Sequence, residues 1–515
     1  MFDIVIRQGR IIDGSGLPWF RGDVGICNQR IAAIGNLSGA EARLAIDARD
    51  RVVCPGFVDA HVHGDLMLLA DPYHEPAIRQ GVTTYILGQD GVAMAPASAP
   101  TLEYMRRYTA GFSGTPELPH RWASVADYLA CFDRTTAVNV AVLVPNGNVR
   151  MEVMGLERRP PTPAELGRMG RLVRQAMEEG AVGLSSGLDY IPSRYAETNE
   201  LIALCRAIAP DGGVYVTHMR RYDAEGMPAS MEEVFRIGRE AGVPVHISHF
   251  NSPAALALPR VDAGRAEGLD VTFDLYCYLA GSSILAMVAL PPEVQEGGVE
   301  ATLGRLRDLE IRQQLRRGPW QPRGPLEEVR LSFVAAAEHR HLEGMTLSEA
   351  AAELDLPIAD AVCELLLASE LAVGCIAPHR HRTEADIQAM MQHPAMMAGS
   401  DGIFTGSRPH PRGWGCFARY LGHYVRAGTW TLEQAVCHLS HHAARRFGLK
   451  DRGLLREGFA ADVVVFDPTA IADRATFDDG RQLAVGVEHV LVNGELVLHE
   501  GKRTAALPGR PLRRG

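Results

Sequence analysis

Two hydrophobic rhythms divide the chain. The beginning alternates apolar and polar positions over short runs broken by Gly and Asp, as in "FDIVIRQGRIIDG", "GDVGICNQRIAAIG" and "LAIDARDRVVCPG". Because residues two apart share a face of a strand, these runs predict three short strands. The same style returns at the end in "ADVVVFDP", "VEHVLVNGELVL" and "GKRTAALPGR", with Asn493-Gly494 marking a hairpin. The two ends together predict one small β-sandwich, assembled from residues 1–56 and 446–515.

The middle, residues 57–445, reads differently. Compact apolar runs occur at 56–64, 81–89, 139–147, 181–189, 213–219, 243–249, 271–278 and 395–402. Amphipathic stretches such as "TPAELGRMGRLVRQAMEEG" and "SMEEVFRIGREAG" separate most of them. Eight strands, each followed by a helix, predict an α/β fold, a (β/α)8 TIM barrel. The gap from about 285 to 390 is too long for one strand-to-helix connection. It carries helical text, "LSEAAAELDLPIADAVCELLLASE", and is expected to be an insertion between strands 7 and 8 that shapes the mouth of the barrel.

Composition narrows the partners. The 515 residues are 46% hydrophobic and carry a net charge of −10, so no basic surface points to nucleic acid or an anionic membrane. No apolar run reaches the roughly 18 residues of a membrane span. "MFDIVIRQGR" lacks the basic-then-apolar order of a secretory signal. Nine dispersed cysteines without a CxxC pair are expected to be reduced thiols of a cytoplasmic protein. A small-molecule partner is expected; self-association is left open.

Chemistry gathers where polar residues end the apolar runs. "PGFVDAHVHGD" closes with His61 and His63, two apart and so on one face. The second run leads into Asp90 of "GQDG", the fifth ends at His218 of "VTHMR", the sixth at His249 of "HISHF", and the eighth at Asp401 of "GSDG". In a barrel the C-terminal strand ends face a common centre. Imidazoles and carboxylates are fitting ligands for zinc or another divalent ion, one or two in number. A lone strand-end histidine is usually a hydrogen-bonded structural residue; the set in barrel order points to a metal. His246 stands as an alternative to His249, since alternation does not choose between them. The histidines at 379, 381, 441 and 442 are expected to be surface or supporting groups, and Cys54 and Cys277 packing residues.

This pattern resembles the amidohydrolase superfamily over essentially the whole chain, from "PGFVDAHVHGD" to "GLLREGFAADVVVFDP". The resemblance implies metal ligation by His61, His63, His218 and His249, with Asp401 as the catalytic aspartate. Many two-metal members bridge their ions with a carboxylated lysine inside the barrel. Here the only lysines are Lys450 and Lys502, both beyond the eighth strand. The bridge must come from another residue, and Asp90 is placed for it.

A narrower resemblance is to the N-acyl-D-amino-acid deacylases, carried by "GLSSGLDYIPSRYA", "DLYCYLAGSS", "PHPRGWGCFARYLG" and "VNGELVLHEGKRTAALPGRPLRR". It implies hydrolysis of a linear amide, releasing a D-amino acid. Three departures stand out. Asp90 replaces the family's usual cysteine in the GxCG loop, Asn146 stands where a histidine is usual, and Asn251 where a lysine near the substrate is usual. Asp401 is expected as general base. Tyr190 is expected as a donor to the developing oxyanion. Tyr276 and Ser282 match the family's substrate-contact positions. Arg220, Arg382 and Arg412 are candidates for the substrate carboxylate, because an arginine fork suits that group. A related cyclic amide or a dipeptide with a D-residue is the alternative substrate. A non-catalytic scaffold fits less well with an intact ligand-and-base set.

Overall fold

A computed structural model describes residues 1–119, 121–318 and 325–515. The chain ends do share one sheet. Its central strand, Phe2–Ile11, pairs antiparallel with Phe20–Cys27 and parallel with Ala42–Asp47 and Val52–Pro55. Val52–Pro55 then pairs with Val463–Phe466, which carries Val487–Val492, Glu495–His499 and Lys502–Arg503 outward. Ile6, Ile26, Val53, Val463 and Leu491 form the apolar core of this unit.

The sequence reading undercounts the opening strands, five in place of three. "GDVGICNQRIAAIG" is itself a hairpin, Phe20–Cys27 with Arg30–Gly35, turning at Asn28 and Gln29, which take positive φ without any glycine. "LAIDARDRVVCPG" breaks into two strands around Asp50, also at positive φ. The Asn493-Gly494 hairpin is where it was expected, both residues at positive φ. Only Lys502–Arg503 of "GKRTAALPGR" is strand; the tail beyond it runs back to the barrel.

The barrel has eight parallel strands: β1 (Phe57–Asp59), β2 (Val82–Leu87), β3 (Asn139–Val142, continued by Val144–Pro145), β4 (Gly183–Gly187), β5 (Val214–His218), β6 (Val245–Ile247), β7 (Val271–Leu275) and β8 (Met396–Ala398). All eight fall within the apolar runs of the sequence. They pair in chain order. Ala60 N–H donates to Ala398 O at 3.1 Å and Val62 bridges Gly402, which closes β8 onto β1. The tail pairs with β3: Val140 N–H donates to Arg510 O and Leu512 N–H to Val140 O.

Outer helices form where the apolar stripe has a helical period and a capped start. Pro163–Glu178 begins with a capping box between Thr162 and Glu165, and buries Met169, Val173 and Met177 against the barrel. Met227–Ala241, which starts at Gly226 without a side-chain cap, buries Met231, Val234 and Phe235 in the same way. Between β7 and β8 lies the insertion, an antiparallel sheet of Ala280–Ile284, Val373–Pro378 and Arg330–Val334. Its helices enclose a separate core that includes Leu303, Leu347, Val362 and Leu366. Ser282, Ser283 and Ala377 of its sheet wall the cavity over the strand ends. Among the described residues no helix is long and apolar enough to cross a membrane.

Candidate metal centre

The polar strand ends gather at the floor of that cavity, where His63, Asp90, His218, His249 and Asp401 line it and His61 lies buried beside Asp90. His61 and His63 follow β1, and His218 is the last residue of β5. Asp90 lies in the 3-10 turn Gln89–Gly91 after β2, His249 just beyond β6 and Asp401 just beyond β8. Asp90, His249 and Asp401 take φ of 56°, 33° and 51°. Left-handed backbone at non-glycine residues is strained, and it collects at functional sites when neighbours enforce it. Here the enforcing contacts are visible. Asp401 N–H donates to His61 O at 2.7 Å, and His249 N–H to Asp274 Oδ1 at 2.8 Å.

The side chains converge on Asp90. Its Oδ1 is 3.6 Å from His61 Nε2, and its Oδ2 is 3.6 Å from His63 Nε2, 3.6 Å from His218 Nδ1 and 3.7 Å from His249 Nε2. Two groups with metal-ligating spacing result, His61–His63–Asp90 and Asp90–His218–His249, and they share Asp90. Asp401 Oδ1 reaches His63 Nε2 at 3.2 Å and His61 Nε2 at 3.7 Å. All six residues are buried.

The donor set fits divalent ions. His61 Nε2, His218 Nε2 and Asp90 Oδ1 are buried without a hydrogen-bond partner, and buried polar atoms are ordinarily paired. His218 Nδ1 and His249 Nε2 lie 2.9 Å apart, too close for two lone pairs with no proton or cation between them. Burial opposes charge on Asp90, yet the surrounding imidazoles of His61, His218 and His249 hold its pKa well below the usual range. Burial likewise opposes charge on His61, but Asp274, Asp90 and Asp401 outweigh it and push its pKa up to about 10. Surplus negative potential in a dry site calls for a cation. The two groups make a binuclear metal site of His61, His63, Asp90, His218 and His249.

The choice between His246 and His249 is resolved by what lies behind them. His246 turns away from the cluster, with Nε2 2.9 Å from Asp274 Oδ2 and Nδ1 2.8 Å from Thr272 Oγ1. Asp274, on β7, also lies 3.4 Å from His61 Nδ1. One carboxylate thus braces His61, His246 and the backbone of His249. Sequence reasoning missed Asp274; the available signal was a carboxylate inside the otherwise apolar "VTFDLYCY". It also missed Asp189, whose Oδ2 is 3.6 Å from His218 Nε2.

The comparisons with known proteins agree with this arrangement. The family model described as "Amidohydrolase family" matches residues 44–498. A D-aminoacylase of Alcaligenes xylosoxydans xylosoxydans is 37% identical, covering 100% of this chain and 98% of its own length. The chain belongs to the amidohydrolase family. An N-acyl-D-glutamate deacylase of the same organism is 35% identical over 99% of this chain and 96% of that protein. Among solved structures, a D-aminoacylase superposes with a TM-score of 0.83 at 35% identity, covering 100% of both chains. An N-acyl-D-glutamate deacylase from Bordetella bronchiseptica, complexed with zinc and a phosphonate inhibitor that mimics the tetrahedral intermediate, gives 0.84 at 35% identity over 99% of each chain.

Around this amidohydrolase centre opens a cavity of about 780 Å³. Tyr190, Arg220, Tyr276, Ser282 and Arg412 all line it. Arg412 is fully buried, with Nη1 2.8 Å from Asp401 Oδ2, Nη2 donating to Ser282 O at 3.1 Å, and its guanidinium 4.5 Å over the Tyr276 ring. Tyr276 Oη accepts from Asn251 Nδ2 at 2.7 Å and meets His379 Nε2 at 2.7 Å. Tyr190 Oη meets Ser283 Oγ at 3.2 Å, and Ser282 Oγ donates to Cys375 O at 2.9 Å. His379 and His381, expected to be surface or supporting groups, line the cavity, and His379 supports Tyr276. Arg220 is already matched, with two donors on Glu233. Arg382 is a correction: it does not reach the cavity wall. Its guanidinium is buried beneath Tyr276 and donates to the carbonyls of Tyr276 and Tyr278, so it fastens the loop after β7.

Proposed function

We propose that the protein hydrolyses the amide bond of N-acyl-D-amino acids, with zinc at the centre, releasing a carboxylic acid and a D-amino acid. One observation carries this reading. Asp90 stands between two histidine pairs, with Asp401 beside it, in a chain whose relatives over its full length include D-aminoacylase and N-acyl-D-glutamate deacylase.

A zinc ion held by Asp90, His218 and His249 would supply Lewis acidity, easing deprotonation of water and polarising the amide carbonyl. The protein's own groups do the rest. Arg412 occupies Asp401 Oδ2, so Oδ1, on the side of the histidines, is the oxygen free to take a proton from the attacking water. Burial resists ionisation of Asp401, but Arg412 and His63 hold its pKa at about 2, so it is charged and ready to accept. Asp401 then returns the proton to the departing nitrogen. Burial keeps the Tyr190 hydroxyl protonated, a donor for the carbonyl oxygen as charge builds on it. Arg412 Nε is buried without a partner and is the donor placed for the substrate carboxylate, beside Tyr276 and Ser282. Nine free cysteines accord with a cytoplasmic setting.

The test pairs metal analysis with turnover of N-acetyl-D-amino acids, their L-enantiomers and hydantoins. Metal-dependent release of D-amino acids is expected. Turnover of hydantoins alone overturns the linear-amide assignment.

A further inference from the structure

Each arginine lining the cavity already faces a carboxylate: Arg412 faces Asp401, Arg220 faces Glu233, Arg221 faces Asp223 and Arg194 faces Asp189. Asn251 carries no charge. A substrate carboxylate therefore meets no surplus positive charge there, and it depends on how the neutral donors around it are aimed. One of these, the Tyr276 hydroxyl, is held from two sides. Its oxygen lies 2.7 Å from Asn251 Nδ2 and 2.7 Å from His379 Nε2. A third side is open. A Cβ on Gly281 would lie 3.1 Å from that oxygen and 3.0 Å from His379 Cε1, so the missing side chain leaves room on the cavity wall.

His379 is fixed in this place. Its backbone N–H donates to Leu279 O at 2.8 Å, and its ring stacks on Tyr276 with centroids 6.1 Å apart. Two residues on, His381 Nε2 lies 2.6 Å from Asn251 O. One turn thus braces both groups that hold the hydroxyl. The partners also dictate who donates. An amide NH2 only donates and a carboxylate only accepts. If the hydroxyl is to give its hydrogen to a carboxylate, His379 must supply a hydrogen to the oxygen and not take one. Burial, with Arg382 and His381 beside it, pushes the His379 pKa well down, so the neutral ring has a single hydrogen to place.

We infer that His379 is a positioning residue for substrate recognition: its Nε2–H donates to the Tyr276 oxygen and so turns the phenolic hydrogen toward the substrate carboxylate. The inference rests on the deacylase reading above. The opposite tautomer, with hydrogen on Nδ1, would take the phenolic hydrogen for itself and turn a lone pair toward the anion.

The experiment compares His379→Gln, which keeps a donor near the position of Nε2, with His379→Met, which has similar length and no donor. Steady-state kinetics on one N-acyl-D-amino acid reads both. His379→Met is expected to raise KM at least about tenfold, the scale of one hydrogen bond to a charged group, with kcat changed less than about twofold. His379→Gln is expected to hold KM within about threefold of the wild type, since its amide still donates. In a Tyr276→Phe background His379→Met should change KM no further, because the group it acts through is gone. His379→Leu takes the place of His379→Met if circular dichroism shows that variant unfolded. Equal effects of Gln and Met, an unchanged KM, or the same rise in the Tyr276→Phe background each overturn the positioning role and leave the deacylase reading standing. Absence of wild-type turnover on every N-acyl-D-amino acid overturns both.

Discussion

Arg412 Nη1 lies 2.8 Å from Asp401 Oδ2, with the arginine side chain entirely buried. A buried cation on the back oxygen of the carboxylate fixes which oxygen faces the histidines. It also favours the ionised carboxylate against the cost of burial, holding its pKa at about 2.

Asp401→Asn keeps the shape and removes the proton acceptor. Loss of at least about a hundredfold in kcat is expected, in line with general-base catalysis. The thermal midpoint and metal content should stay close to those of the wild type. Unchanged turnover would show that another group takes the proton.

Arg412→Lys replaces a fork by a point charge. One ammonium group cannot serve Asp401 Oδ2, Ser282 O and the Tyr276 face together. A fall of about ten- to a hundredfold in kcat/KM is expected, with KM raised as well as kcat lowered. Steady-state kinetics on a single N-acyl-D-amino acid checks both parts.

Asp274→Ala removes the brace behind the ligands. His246 Nε2 loses its acceptor, His61 Nδ1 loses the carboxylate charge 3.4 Å away, and the His249 backbone loses the bond that holds its positive φ. Loss of such supporting groups typically costs about 10–100-fold in metal affinity. Dialysis against graded chelator concentrations followed by metal analysis reads this directly. Asp90→Ala, which removes the ligand common to both groups, should retain less metal still.

His438 predicts an acid limb in stability. Burial depresses its pKa from 6.5 to about 3, although its ring bonds to the Met396 carbonyl at 2.9 Å. The folded state thus keeps this imidazole neutral while the unfolded chain protonates it. Its contribution is complete above pH 6.5 and is lost as pH falls from there toward 3, by about 1.4 kcal/mol per pH unit. In urea titrations between pH 7 and pH 4, His438→Gln should show a shallower decline than the wild type.

Much of this architecture was legible because a barrel writes itself twice, once in apolar runs and again in the polar residues that end them. The ligands from His61 to His249, and Asp401 beside them, could be read that way. The role of Asp274 could not, because it exists only once β6 and β7 lie side by side. Arg382 and Arg412 look alike in sequence; only packing puts one beneath Tyr276 and the other against Asp401. The hairpin at Asn28 and Gln29 was hidden because its turn has no glycine or proline. The small sheet of the insertion was hidden because Ala280–Ile284, "AGSSI", has too few large apolar residues to announce a strand.

The seam between β1 and β8, where His61 O accepts from Asp401 N–H, makes closure of the ring a late event in biogenesis. A ribosome must deliver about four hundred residues before the last staves can meet the first. A nascent chain cut short of β8 still carries five ligand side chains, yet nothing closes the ring that aims them. Ions held by both ligand groups at once would therefore mark a finished cylinder.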